Sequence, residues 1–236
     1  MKRRLFIGVL AAGGVGTAAG CLSGIADEAT TFTAAPARVD EDAAGEVGYE
    51  YQGTRRRVDE EEVGGEDIEA TSYLSLYDRS IELPTEQFGD DPLRAGVFGV
   101  ITTPQVSIAG EDFNPVSDLS NRELADRIQG HYEGLELDRA VGGRALDALG
   151  ERFPIQSYGG TATLQNQYAI DVTLDIVQRE HEDDHIVVAA IYPTDDLLPE
   201  GSEQPRIDTL VQGLESYDDL EVEIVEGGDW NGSTDS

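Results

Sequence analysis

Residues 168–193 read "YAIDVTLDIVQREHEDDHIVVAAIYP", and the fold turns on how that stretch is divided. In its first half Ile170, Val172, Leu174 and Ile176 alternate with Asp171, Thr173, Asp175 and Val177. Successive side chains of a strand point to opposite faces, so a period of two predicts a strand with its aliphatic face turned inward. After the acidic cluster comes "HIVVAAIY", a β-branched apolar run closed by Pro193, which reads as a buried strand. Between the two, "REHEDDH" becomes the tip of a hairpin.

That tip contains the string H-E-x-x-H, His181 to His185. On a helix this is the zinc site of a metalloprotease. The chemistry needs both histidines on one helical face, with the intervening glutamate as general base. A hairpin puts them on opposite sides of the turn, and His131 is the one other histidine in the chain. The segment is therefore read as a solvated turn. A loose cation-binding loop of His181, Glu182, Asp183, Asp184 and His185 is the alternative reading. No catalytic residue, metal ligand or cofactor site is assigned. The nucleophile-elbow and phosphate-loop motifs do not occur, and carboxylate pairs carry no signal in so acidic a chain.

Outward from the hairpin, "RAGVFGVITTP" (94–104), "QVSIAGEDFNP" (105–115), "RALDAL" (144–149) and "FPIQSYGGTATL" (153–164) read as further strands. "YEYQGTRRRVDEEEV" (49–63) and "IEATSYLSLYDRSIEL" (68–83) make another strand pair. There the arginines of 55–57 are expected to face glutamates in a cross-strand charge ladder. Three helices are predicted: a brief one near Asp40–Val47, a central one over Ser120–His131, and an amphipathic one over Ile207–Tyr217. The central helix opens on Ser120 with Glu123 three residues on, a capping box, and Leu124, Ile128 and Tyr132 follow at helical spacing. The fold class is thus α+β: a single domain over 31–225, mostly antiparallel sheet, with a capped central helix and a C-terminal helix. Residues 226–236 read as a disordered tail, in which Asn231-Gly232-Ser233 is a glycosylation sequon.

The charge balance decides which partners are excluded. Against 48 acidic residues stand 16 basic ones, a formal net charge of −32. Phosphate backbones need clustered Lys and Arg, so nucleic acid is excluded as a partner. The single lysine is Lys2; every other basic residue is arginine. An acidic, lysine-poor surface suits multimolar salt, where the Debye length falls to roughly 3 Å at 1 M and carboxylate repulsion is screened.

The N-terminus, "MKRRLFIGVLAAGGVGTAAGCLSG", has a basic start, an apolar run from Leu5 to Ala19, and small residues leading into Cys21, the lone cysteine. The run is shorter than the ~20 residues a spanning helix needs and reads as a secretory leader. Arg3 and Arg4 followed by Leu5-Phe6-Ile7 resemble a twin-arginine export signal. Ala18-Ala19-Gly20-Cys21 resembles a lipobox, after which Cys21 carries lipid; the leucine usual three places before the cysteine is here Ala18. Residues 1–20 are then a cleaved signal peptide, and 21–30 the lipidated cysteine with a short tether. Gly14-x-Gly16-x-x-Ala19 matches a dinucleotide fingerprint but lacks the preceding strand that motif requires.

With the leader, "FNPVSDLSNRELADRI", "GGTATL" and "REHEDDHIVVAAIYP" in hand, the chain resembles a family of haloarchaeal twin-arginine-exported lipoproteins of unknown function. The order of sheet and helices also resembles the PsbP-type fold, a likeness of architecture alone. What the resemblance implies is an address: the extracytoplasmic face of the cell membrane, held by the lipid on Cys21. The expected role is a non-catalytic binding or scaffolding domain with an envelope protein or small ligand as partner. The alternative is an extracytoplasmic hydrolase working through carboxylates or a metal.

Overall fold

In the computed structural model the quoted stretch is a hairpin, paired residue for residue from Val172↔Pro193 to His181↔Asp184. Glu182 and Asp183 form its turn, with Glu182 at φ 51°, the left-handed region that tight hairpin turns use. The structure describes residues 30–63, 66–81, 93–108, 111–112, 119–164, 168–194 and 202–216. Arg3, Arg4, Cys21 and Asn231 lie outside them, as do the leader, most of the tether and the tail.

In chain order the elements are β1 (Thr30–Thr33), β2 (Ala37–Val39), α1 (Glu41–Glu46), β3 (Glu50–Val63), β4 (Glu66–Ile81), β5 (Leu93–Pro104), β6 (Ser107–Ile108), β7 (Glu111–Asp112), α2 (Asn121–His131), β8 (Leu135–Ala148), β9 (Glu151–Leu164), β10 (Tyr168–His181), β11 (Asp184–Pro193), α3 (Gln204–Gln212) and β12 (Leu214–Ser216). Two meanders, β3-β4-β5 and β8-β9-β10-β11, join side by side where β5 pairs antiparallel with β11. β1 adds the one parallel pairing of this sheet, on β4 at Thr30↔Ile68 to Thr33↔Thr71. The result is an open, mixed, eight-stranded sheet that is antiparallel everywhere else.

Helices cover both faces of it. On one face α2 packs over β8 and β10, burying Leu124 and Ala125 against Leu137, Val172, Leu174 and Ile176. The expected capping box is formed: the Glu123 N–H donates to Ser120 Oγ at 3.3 Å, and the Ser120 N–H donates to Glu123 Oε2 at 2.9 Å. Ile128 is partly buried as the spacing requires. Tyr132 is not; the helix ends at His131, and Tyr132 caps it, turned outward and 43% exposed.

On the other face α1, α3 and the small β2–β12 ladder cover Phe98, Val100, Phe153, Ile155, Val177, Ile186 and Val188. This changes the reading of β10. The later half of the set that alternates with its aliphatic face is also covered: Asp175 and Val177 are 3% and 1% exposed, whereas Asp171 is exposed and Thr173 half-buried. Because the sheet is sandwiched, its central strands are buried on both sides.

Two further expectations are corrected. The last helix runs over Gln204–Gln212 and not on to Tyr217: Pro205 sits at its start, and Gly213 closes it. A Cβ at Gly213 would lie 2.8 Å from that of Ala43, so the chain passes α1 too closely for any larger residue. Leu214 is still buried, from a strand that pairs with Val39. The charge ladder does not form. The hairpin sets Arg55, Arg56 and Arg57 against Leu74, Tyr73 and Ser72, and Glu60, Glu61 and Glu62 against Glu69, Ile68 and Asp67. Arg57 pairs along its own strand with Asp59, at 2.8 Å. Among the described residues no helix is long and apolar enough to cross a membrane.

Candidate functional site

Four neighbouring strands and α3 bring together one buried ionic network. Ser157 on β9 stands directly opposite Asp175 on β10, and Tyr192 on β11 lies two pairs along, opposite Thr173. Arg144 rises from β8, the outermost strand at that end of the sheet, and Asp208 reaches down from α3. The Arg144 guanidinium donates from Nη2 to Asp175 Oδ2 at 2.7 Å, and from Nε to Asp208 Oδ1, also at 2.7 Å. Ser157 Oγ donates to Asp175 Oδ1 at 2.5 Å, and Tyr192 Oη to Asp175 Oδ2 at 2.8 Å.

Burial makes these contacts necessary. The Asp175 side chain is 4% exposed, where an unpaired carboxylate costs several kcal/mol. Three donors on its two oxygens offset that cost. Burial works against the charge on Arg144, but its hydrogen bonds to Asp175 and Asp208 outweigh it and hold the guanidinium pKa above its ordinary value. The Tyr192 hydroxyl is pushed up by burial first and by the Asp175 charge second, so it stays protonated as a donor.

Above this floor, among the described residues, lies an open cleft of about 370 Å³. Its walls carry the hydroxyls of Ser157, Thr173, Tyr192 and Thr194 and the amide of Gln204. On one side runs the Gly142-Gly143 stretch of β8, where a Cβ at Gly142 would meet nothing within 4 Å. Val141, 61% exposed, sits in a register shift of β8, close over the position a Gly159 side chain would take.

The helix that roofs the cleft is held by a second buried cluster. Glu203, just before α3 and fully buried, accepts from Tyr49 Oη at 2.9 Å and lies 3.4 Å from the Arg79 guanidinium. Arg206 donates to the Val47 carbonyl at 3.0 Å. Burial, then the Glu203 charge, raise the Tyr49 hydroxyl pKa and keep its proton in place. Gly96 makes room for that ring: a Cβ there would fall 2.1 Å from Tyr49 Oη.

The sequence-predicted cluster is elsewhere, at the far tip of the β10–β11 hairpin. His181 pairs with Asp184 and His185 with Glu180, so the two imidazoles leave on opposite faces of the sheet. His181 Nδ1 is 3.5 Å from Glu151, and His185 Nε2 is 3.2 Å from Gln178 Oε1. Burial lowers the His185 pKa, with Glu180 opposing it. Among the described residues no three His, Cys, Asp or Glu side chains are gathered as a metal ion requires. The tip has structural work instead. Asp184 Oδ2 accepts from the Ala35 N–H at 2.7 Å, the Asp183 carbonyl from the Gln105 N–H at 2.9 Å, and the Asp184 carbonyl from the Gln105 side chain at 3.0 Å. Burial pushes the Asp184 carboxyl up to about 6, with Asp183 and Glu182 adding to the effect against the Ala35 hydrogen bond.

Nothing in the sequence reading singled out Arg144, Ser157, Asp175, Tyr192 or Asp208. Arg144 is one arginine among fifteen, and the acids are hidden among 48. The signal that was present is Val177, an aliphatic residue on the polar side of the β10 alternation, which marks that side as covered.

A family model described as a domain of unknown function, DUF6517, matches residues 36–215. The chain belongs to that family. The DUF6517 match runs from just before β2 into β12, so it takes in all three helices and every residue of the cleft, while β1 lies outside it. A search of curated proteins found nothing that matches.

Proposed function

We propose that this DUF6517 domain is the extracytoplasmic part of a twin-arginine-exported lipoprotein from a salt-adapted cell, anchored through lipid on Cys21, and that it binds a polar ligand without transforming it. The observation that carries the binding reading is the saturated network under the cleft. Asp175 has both oxygens engaged and Asp208 is bonded to Arg144, so neither carboxylate stands ready as a general acid or base, while Thr173, Thr194 and Gln204 line the cleft above them. A glycoside hydrolase of the two-carboxylate kind needs acids with divided roles, and these two share one counter-ion. The address is supported by Arg3, Arg4 and the small residues leading into Cys21. Salt adaptation is supported by the net charge of −32 and the near absence of lysine. Kinship with PsbP-type folds belongs to the proposal and carries no activity by itself.

The test is to extract the native protein from membranes in high salt, weigh it intact, and identify what comes with it. A chain beginning at a lipid-bearing Cys21, with a ligand or partner retained, is the expected result. Cys21→Ser should remain exported but leave the membrane fraction after a carbonate wash. A product that still begins at Met1 with a free thiol refutes the anchor, and repeated recovery of the bare protein refutes the binding role.

A further inference from the structure

We propose that the cleft over Arg144 takes a neutral, hydroxyl-rich ligand, a saccharide; this rests on the binding reading above and narrows it to one chemistry. Charge comes first. One guanidinium and two carboxylates sum to −1, and the guanidinium is already held by both acids. An anion finds no net attraction there, and Asp175, with both oxygens already accepting, is not open to a cation.

What the cleft does offer is hydrogen-bonding groups of both senses. The Tyr192 and Thr194 oxygens, whose protons go to Asp175 and to the Asp171 carbonyl, keep lone pairs that can accept. Thr173 presents a hydroxyl able to donate and accept, and Gln204 adds an amide with both functions. Sugar hydroxyls have the same dual character. β8 ends the sheet among the described residues, so the Gly142-Gly143 backbone is flanked by a strand on one edge only, with the Gly142 carbonyl taken by the Gln156 side chain.

An apolar element completes the match. Val141 is 61% exposed at the edge of an otherwise polar cleft, and its Cγ1 stands 3.1 Å from where a Cβ on Gly159 would be. It gives the C–H face of a pyranose ring a surface to rest on while the ring's hydroxyls meet the floor. At about 370 Å³ the cleft is near the lower end of small-ligand sites, which run roughly 300–1,000 Å³. Its open form suits a short stretch of glycan and weak, millimolar affinity.

The experiment is saturation-transfer NMR and calorimetry on the full chain in high salt with maltotriose, cellotriose and N,N′-diacetylchitobiose. Inorganic phosphate and spermidine are the charged controls. Free sugars and their methyl glycosides form separate arms, so preference for one or the other tells a free saccharide from a conjugated glycan; either supports the proposal. Binding of at least one neutral sugar is expected, weakened tenfold or more by Gly142→Phe, whose Cβ meets nothing within 4 Å and whose ring would occupy the cleft. Thr173→Val should weaken it less. The proposal is overturned if no sugar binds, if Gly142→Phe leaves sugar binding unchanged, or if phosphate or spermidine outcompetes every sugar. The last result would leave a binding domain with a different ligand, whereas failure of the broader reading appears separately, in the membrane extraction.

Discussion

Replacing Arg144 by methionine tests the network most directly. Methionine keeps the length and removes the charge, leaving Asp175 with two neutral donors, Ser157 and Tyr192, and no counter-ion. At 4% exposure that carboxylate cannot turn to water, so stranding it should cost about 3–5 kcal/mol, the usual penalty for breaking a buried pair. Asp208 adds little: its side chain is 25% exposed and can hydrate, which puts its share at about 1 kcal/mol or less. The total of about 4 kcal/mol is a large part of a typical domain stability, roughly 5–15 kcal/mol. Urea unfolding followed by circular dichroism in high salt measures it. The deficit should persist as salt rises, because ions screen a buried pair poorly. Adding Asp175→Leu should recover much of the loss, since an apolar replacement of a buried pair is often neutral or better. A loss below about 1 kcal/mol would refute the argument that burial makes this network obligatory.

Asp184→Asn should stabilise the protein at neutral pH. A carboxyl raised from 3.8 to about 6 holds its proton more tightly when folded, so the wild type loses stability as pH rises across that window. Partial exposure screens the full shift down to about 1 kcal/mol, and the advantage of the variant should vanish below the lower value; a pH series of unfolding curves reads the difference. Gly96→Ala should cost about 1–3 kcal/mol by forcing Tyr49 off Glu203, seen as a lower denaturation midpoint. Glu182→Gly should add up to about 1 kcal/mol, seen as a higher thermal midpoint, because it relieves a left-handed backbone at the hairpin tip.

Much of the framework was legible before any coordinates. Periodicity located the hairpin, Ser120 with Glu123 located the start of α2, and Ile207, Leu210, Val211 and Leu214 identified a face that is indeed buried. Each of these is written in contiguous residues, because strand alternation and helix capping are local constraints. The charge-ladder error came from the other kind of information. Adjacent runs of like charge on one strand say nothing of their partners until the turn fixes the register, and a hairpin brings the end of β3, not its middle, against the start of β4.

The cleft belongs wholly to that second kind. Arg144 and Asp208 are 64 residues apart, and with Ser157, Asp175 and Tyr192 they occupy four strands and a helix. Sequence by itself determined that this chain makes an antiparallel sheet with a capped helix, a strongly acidic composition and a single thiol after an apolar N-terminal run. It also determined that the H-E-x-x-H string falls on a turn. Only the tertiary structure decided that both faces of the sheet are roofed, and so that Asp175, one carboxylate among 48 acidic residues, is buried and must find an arginine. The physical reason is that burial is set by what packs on top. A strand records which of its side chains share a face, but not whether a helix from elsewhere in the chain comes to lie on it.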